Sequence, residues 1–166
     1  GLDTSESFVT ATNEASSKIA VDRQGNAYFA SFKTGVIAYE ASTGKSGAIN
    51  SNIDGVDFPD AFNENPSITA LEFDQNNRLW IGTNVGLRVA FSPAGIFEED
   101  PFVTVAPIII EDVDGLAQEL LFEQFITDIA IDGANNKWIA TADSGVVQVS
   151  ANGQEVFNIF TEDNSP

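Results

Sequence analysis

The sequence predicts an all-β fold of about three four-stranded antiparallel units. Three observations predict it. One short pattern recurs three times along 166 residues. Each recurrence places strand-forming residues on both sides of a polar turn. Helical periodicity is weak throughout.

The pattern is an Asp with an aromatic residue six positions later. The first copy runs from Lys18 through Asp22 and Tyr28 to Ser31. The second runs from Ile68 through Asp74 and Trp80 to Thr83, and the third from Ile126 through Asp132 and Trp138 to Thr141. Asp22 and Asp74 are 52 residues apart, and Asp74 and Asp132 are 58 apart. A rigid unit joined by variable connections accounts for a local match better than its period.

Within a copy, Ile68, Ala70, Leu71 and Phe73 suit a strand. Asp74-Gln75-Asn76-Asn77 is turn chemistry: the Asp bonds its own downstream backbone, and Asn tolerates positive φ. Leu79-Trp80-Ile81-Gly82-Thr83 is the return strand. The small residue at Gly82, or Ala140 in the third copy, fits the close approach of another backbone or ring. A Gly then opens a third strand at Gly35–Tyr39, Gly86–Val89 and Gly145–Val149, and an outer fourth is predicted at Phe157–Phe160. Four short antiparallel strands per repeat of this size predict the blades of a partial β-propeller, all parts of one domain, with approximate bounds 8–58, 59–116 and 117–166.

Two long connections join the copies. Ala41–Pro66 is rich in Gly, Ser, Asn and Asp and is expected on the surface. Pro93–Gln124 reads as an insertion between units. It holds a short buried strand at Pro107–Ile110 and a turn at Asp112–Gly115. Gly115–Phe125 follows, as either a short helix or a strand and turn.

Composition narrows the chemistry. Apolar residues make up 43%, enough for a core, and 25 acidic against 7 basic residues give a net charge of −18. Cys and His are absent, which removes disulfides, thiolate and imidazole metal sites and Ser–His or Cys–His catalysis. The basic residues Lys18, Arg23, Lys33, Lys45, Arg78, Arg88 and Lys137 stand singly, so no nucleic-acid footprint forms. The charge would also repel an anionic membrane surface. No apolar run approaches the roughly 20 residues of a membrane span, and no signal peptide is visible. With no Met in the chain, Gly1 reads as other than a natural start.

The pattern Ile-Thr-x-Ile/Leu-x-x-Asp-x-x-Asn-x-x-Trp-Ile-Gly/Ala-Thr, followed by Gly-Val/Leu, resembles the two-component-regulator propeller repeat. That family builds sensor propellers of hybrid histidine kinases. A narrower similarity covers about the last hundred residues. It runs over Pro107–Asp112, Glu119–Thr127, Asn135–Thr141 and Phe160–Pro166, and resembles PorZ-type proteins of the type IX secretion system. Tyr28 and Ser31 depart from the Trp and Thr of the repeat. The resemblance implies a non-enzymatic protein at the cell surface or in the periplasm of a Gram-negative bacterium. It also implies a role in attaching secreted cargo to anionic lipopolysaccharide. Three repeats fall short of the seven blades of such a ring, so the partners expected are the remaining blades or another copy of the chain.

The recurring residues carry two readings each. Asp22, Asp74 and Asp132 read foremost as turn caps; the other reading is a ring of carboxylates on Ca²⁺ or sugar hydroxyls. Tyr28, Trp80 and Trp138 read foremost as core between blades; the other reading is a set of sugar-stacking platforms. Thr83 and Thr141 read as strand residues, not nucleophiles. Asp112-Val113-Asp114-Gly115 hints at a Ca²⁺ loop but lacks further oxygen ligands, and no cofactor is expected. Glu98-Glu99-Asp100 reads as a solvated acidic loop. A surface at −18 repels an anionic glycan within about 8 Å at physiological salt, so this segment reads as something other than the glycan contact. The acidity instead suits solubility or a basic protein partner.

The expected function is a binding and scaffold module of a surface secretion complex. The alternative is a ligand-sensing propeller of a hybrid two-component kinase that binds oligosaccharide. A lyase or hydrolase propeller is a third class.

Overall fold

The computed structural model describes residues 16–31, 34–59, 67–112 and 114–164. Unit I is an antiparallel sheet of β1 (Ser16–Val21), β2 (Ala27–Ser31), β3 (Gly35–Tyr39) and β4 (Ser46–Ile49), paired in that order. β5 (Asp54–Val56) leaves it and joins unit II. Unit II is built from β6 (Ile68–Phe73), β7 (Leu79–Thr83), β8 (Gly86–Ala90) and β9 (Phe102–Ala106), with β5 parallel to β9 at its outer edge. A hairpin of β10 (Ile109–Glu111) and β11 (Ala117–Glu119) follows. Unit III is β12 (Ile126–Ile131), β13 (Lys137–Thr141), β14 (Val146–Val149) and β15 (Val156–Phe160), again consecutive and antiparallel.

The two-residue alternation of each strand decides which unit a side chain faces. In unit I, Ala20, Tyr28, Ala30, Val36 and Ala38 turn to one face and meet Leu71, Phe73, Leu79 and Ile81 of unit II. The opposite face of unit II, with Ala70, Trp80, Leu87 and Val89, meets Ile129, Ile131, Ile139, Val147 and Val149 of unit III. The core is therefore two seams between three sheets. The first strands β1, β6 and β12 lie side by side, and Thr69 Oγ1 donates to the Ile126 carbonyl at 2.5 Å. Lys18 Nζ reaches Asp128 Oδ1 of β12 at 3.3 Å, an exposed pair of small energetic weight.

Several expectations change. Pro93–Gln124 is not a single insertion, because its residues Phe102–Ala106 form the outer strand of unit II. Val103 and Val105 are fully buried there, while Phe102 and Thr104 face out, a half-buried alternation too short to stand out in sequence. A 3₁₀ turn at Pro93–Phe97 precedes it and buries Ile96 and Phe97. Ala41–Pro66 is not wholly surface, since it supplies β4 and β5 and buries Ile49 and Phe58. Unit II thus has five strands, not four. Pro107–Ile110 is only partly buried: Ile108 is covered but Ile109 is 48% exposed. Gly115–Phe125 forms a strand and turn, with Leu121 and Glu123 left-handed at φ 57° and 56°, a backbone that no helix contains.

Gly82 shows why the seam position must be small. A Cβ there would lie 2.6 Å from Ile126 Cγ2 across the seam and 2.9 Å from Ala70 Cβ. Gly82→Ala is expected to cost about 1–3 kcal/mol through overpacking. Urea unfolding followed by Trp fluorescence measures this, and an unchanged midpoint contradicts the seam geometry.

Candidate functional site

The three repeated turns have one hydrogen-bond plan. Asp22 Oδ1 accepts from the backbone N–H of Gln24 (2.9 Å) and Asn26 (2.8 Å). Asp74 Oδ1 accepts from Asn76 (2.8 Å) and Arg78 (3.0 Å), and Asp132 Oδ1 from Ala134 (2.9 Å) and Asn136 (2.8 Å). The third residue after each Asp is left-handed: Gly25 at φ 86°, Asn77 at 60° and Asn135 at 65°. These are residue types that enter that region at small cost, which is why the turn was readable in sequence.

The second carboxylate oxygen holds the side chain four residues on and the ring six residues on. Asp132 Oδ2 accepts from Asn136 Nδ2 (3.0 Å) and from the indole Nε1 of Trp138 (3.2 Å). Asp74 Oδ2 accepts from Arg78 Nε (2.7 Å) and the Trp80 indole (3.1 Å). Asp22 Oδ2 accepts from Asn26 Nδ2 (2.9 Å), but Tyr28 has no ring N–H to offer. The Tyr28 hydroxyl is buried with no hydrogen-bond partner among the described residues. Burial, then the charges of Asp22 and Glu40, push that phenol above its usual range.

The seam between units II and III adds two cations. Lys137 is fully buried, and its Nζ lies 3.2 Å from Asp74 Oδ2 and 4.8 Å from the centre of the Trp80 ring. Nζ donates to the carbonyls of Asn135 (2.7 Å) and Ala151 (2.6 Å). Arg78 Nη2 lies 2.6 Å from Asp74 Oδ2 and donates to the same Ala151 carbonyl at 2.7 Å. Burial alone pushes the Asp74 carboxyl up. Hydrogen bonds from the Arg78 side chain and backbone and from Trp80, with the Arg78 charge, outweigh it and hold the group at about 2. Burial likewise pushes the Lys137 ammonium down, and Asp74 opposes that shift.

The structure separates the three aromatic positions. Tyr28 lies in the first seam, edge-on to Phe73 at 5.0 Å and near Phe97 at 6.2 Å. Trp80 lies fully buried in the second, where a Cβ on Gly153 of unit III would come within 2.8 Å of its Cη2. Trp138 is half-buried and stacks on Phe160 at 5.7 Å within its own sheet.

Thr83 and Thr141 hydroxyls donate to the carbonyls of Gly86 (2.8 Å) and Gly145 (2.9 Å) and close their own turns. Asp112 Oδ1 caps its turn through the N–H groups of Asp114 and Leu116, both at 2.9 Å.

Two residues escaped the sequence reading. Lys137 stands at the repeat position of Ala27 and Leu79, and Arg88 at that of Ile37 and Val147. A cation at an otherwise apolar repeat position was the available signal. Arg88 is buried and donates to Asp57 O (2.9 Å), Leu87 O (2.9 Å) and Glu119 Oε2 (3.0 Å). It thereby pins both long connections to the middle of unit II.

Comparison with known proteins bears on this arrangement. Residues 62–85 match the two component regulator propeller family, over the first two strands of unit II. The fold is similar to that of PorZ, an essential bacterial surface component of the type-IX secretion system of Porphyromonas gingivalis. The TM-score is 0.57 at 18% identity, over 91% of this chain and 28% of that one. It is also similar to the extracellular domain of a putative one component system of B. thetaiotaomicron, with a TM-score of 0.58 at 19% identity over 91% and 17%. The propeller of Dos1 gives 0.52 at 11% identity over 87% and 33%.

This chain has the fold of a partial β-propeller.

Units I, II and III are its blades. The chain spans about a third or less of each of those structures. No curated protein matches the sequence. Among the described residues no helix is long and apolar enough to cross a membrane. No group of three or more Asp or Glu among them is placed to hold a metal ion.

The Asp74 arrangement sets an acid limit. Its folded pKa of about 2 lies below the ordinary 3.8, so the stability it contributes is full well above 3.8 and is lost as pH falls toward 2. Asp74→Asn leaves two cations facing an uncharged amide and is expected to cost about 3 kcal/mol or more at neutral pH. The same change should flatten the acid limb between pH 4 and 2, as read by urea titrations across pH. An acid limb unaltered by the substitution contradicts the assignment.

Proposed function

We propose that this chain is a non-catalytic binding and scaffold segment of a bacterial surface propeller, of the kind that PorZ represents in the type-IX secretion system. One observation carries the reading. The carboxylates and hydroxyls that recur in the repeat, and the two cations of the second seam, are occupied in closing turns and joining blades. Arg78 and Lys137 each bond the Asp74 carboxylate and the Ala151 carbonyl, and Thr83 and Thr141 bond their own turns. The similarity to PorZ supports the surface role.

The partner this segment suits is a basic, partly apolar polypeptide. The connection between blades II and III, residues 107–125, contains five acidic residues and no basic one. It exposes Ile109 (48%), Leu116 (66%), Phe122 (57%) and Phe125 (43%). Apolar side chains set among carboxylates favour a cationic amphipathic surface and oppose an anionic glycan. In the assembled parent protein, contact with anionic lipopolysaccharide therefore belongs to other segments.

A second reading is a sensor propeller that binds oligosaccharide. The repeat match at 62–85 and the similarity to the one component system's extracellular domain favour it.

Calorimetry separates the two. The scaffold reading expects saturable binding of a Lys- and Leu-rich amphipathic peptide that weakens steeply between 50 and roughly 500 mM salt. It expects no heat with neutral oligosaccharides or with lipopolysaccharide. Saturable oligosaccharide binding with no peptide binding overturns it in favour of sensing. Turnover of an oligosaccharide overturns both.

A further inference from the structure

Blades I and II, and blades II and III, are joined by the same backbone-to-side-chain bond. Arg23, directly after Asp22, donates its N–H to Asn77 Oδ1 of blade II at 3.2 Å. Gln75, directly after Asp74, donates its N–H to Asn135 Oδ1 of blade III at 2.9 Å. In both seams the acceptor is the left-handed residue three places after the Asp of the later blade. In both, the aromatic six places after the Asp of the earlier blade is fully buried against the later one.

Blade III repeats the earlier-blade half of this joint. Gly133 directly follows Asp132, and its N–H has no partner among the described residues. Trp138 is tied to Asp132 Oδ2 at 3.2 Å and covered only in part, by Phe160. Ile129, Ile139, Val147 and Val149 take the face toward blade II, so alternation in the paired strands puts Ala130, Trp138 and Ala140 on the opposite face. Those residues match Ala20, Tyr28 and Ala30, which form the buried face of blade I. The exposed face of blade III is thus continuous in design with two seams that the structure already contains.

We propose that this face docks one further β-blade whose own Asp turn carries Asn at the left-handed position, with its Oδ1 on the Gly133 N–H and an apolar strand pair over Trp138. A second copy of this chain fits the rule less well. Its blade I offers exposed Ile19 (62%) and Val21 (57%) for the apolar half. The acceptor position there is Gly25, which has no side chain. The joint thus distinguishes a different blade from the chain's own other end by one residue.

That residue supplies the test. A Cβ at Gly25 meets nothing within 4 Å, and Asn tolerates its φ of 86°. Gly25→Asn gives blade I the missing acceptor and makes the chain its own probe. Sedimentation equilibrium at high salt, to screen the charge of −18, compares the variants. Gly25→Asn is expected to tighten head-to-tail association about five-fold over the unmodified chain. Adding Gly133→Pro should return it to the unmodified level, because Pro suits the first inner position of the turn and removes only the N–H. Adding Gly133→Ala, which keeps the N–H, should leave the gain in place. Urea midpoints check that each variant folds. Equal association of the Gly25→Asn and unmodified chains overturns the proposal, as does a gain that survives Gly133→Pro in a folded protein. An unmodified chain that already dimerises as tightly as the variant makes the second copy the occupant and removes the Asn rule.

Discussion

The architecture depends on one carboxylate in each blade. An Asp at the end of the first strand closes a turn with one oxygen, and in blades II and III it orients a Trp ring with the other. Asp74 shows the arrangement in full. Its Oδ1 collects two backbone N–H groups, while its Oδ2 meets the Arg78 guanidinium, the Trp80 indole and the Lys137 ammonium of the next blade. A buried charge is costly unless it is paired and hydrogen-bonded, and every bond here fixes a different element. Turn, ring and neighbouring blade are thereby locked to one atom pair.

The two seams use this plan with different chemistry. The first has no ion pair at its turn: Tyr28 packs edge-on to Phe73, Asp22 meets only its own turn, and the Arg23 N–H donates to Asn77 Oδ1 at the seam's end. The second is ionic at one end and aliphatic along the rest, with the Trp80 indole facing the Lys137 ammonium. A cation over an indole face gains from the ring quadrupole, more so when water is excluded. The second seam therefore contains an acid-sensitive charge, a carboxylate held near 2, while burial keeps the phenol of the first neutral, its pKa above the usual range.

Much of this was legible because the repeat constrains short-range geometry. Asp followed three residues later by Gly or Asn announced the turn, and the small residue at Gly82 announced a close approach, though by the Ile126 side chain and not by a backbone or ring. The outer strand Val156–Phe160 was visible as a short apolar run. What was not legible depends on contacts distant in sequence. β5 is three residues long and gains its identity from pairing with β9, 48 residues away at Asp54 and Phe102. β9 alternates over only five residues amid acidic loops. Lys137 and Arg88 are polar by composition, and only a neighbouring blade or connection makes them interior groups. The half-exposure of Trp138 reflects the lack of a neighbour on that face among the described residues, although its local sequence matches that of Trp80.

The most direct test is a double-mutant cycle between Asp74→Asn and Lys137→Met, read from urea unfolding at pH 7. If the Asp74 carboxylate joins blade II to blade III, the two losses are non-additive, with a coupling of about 1–3 kcal/mol. Simple additivity, with coupling under about 0.3 kcal/mol, would mean that the carboxylate serves its own turn alone and that the seam is held by aliphatic packing.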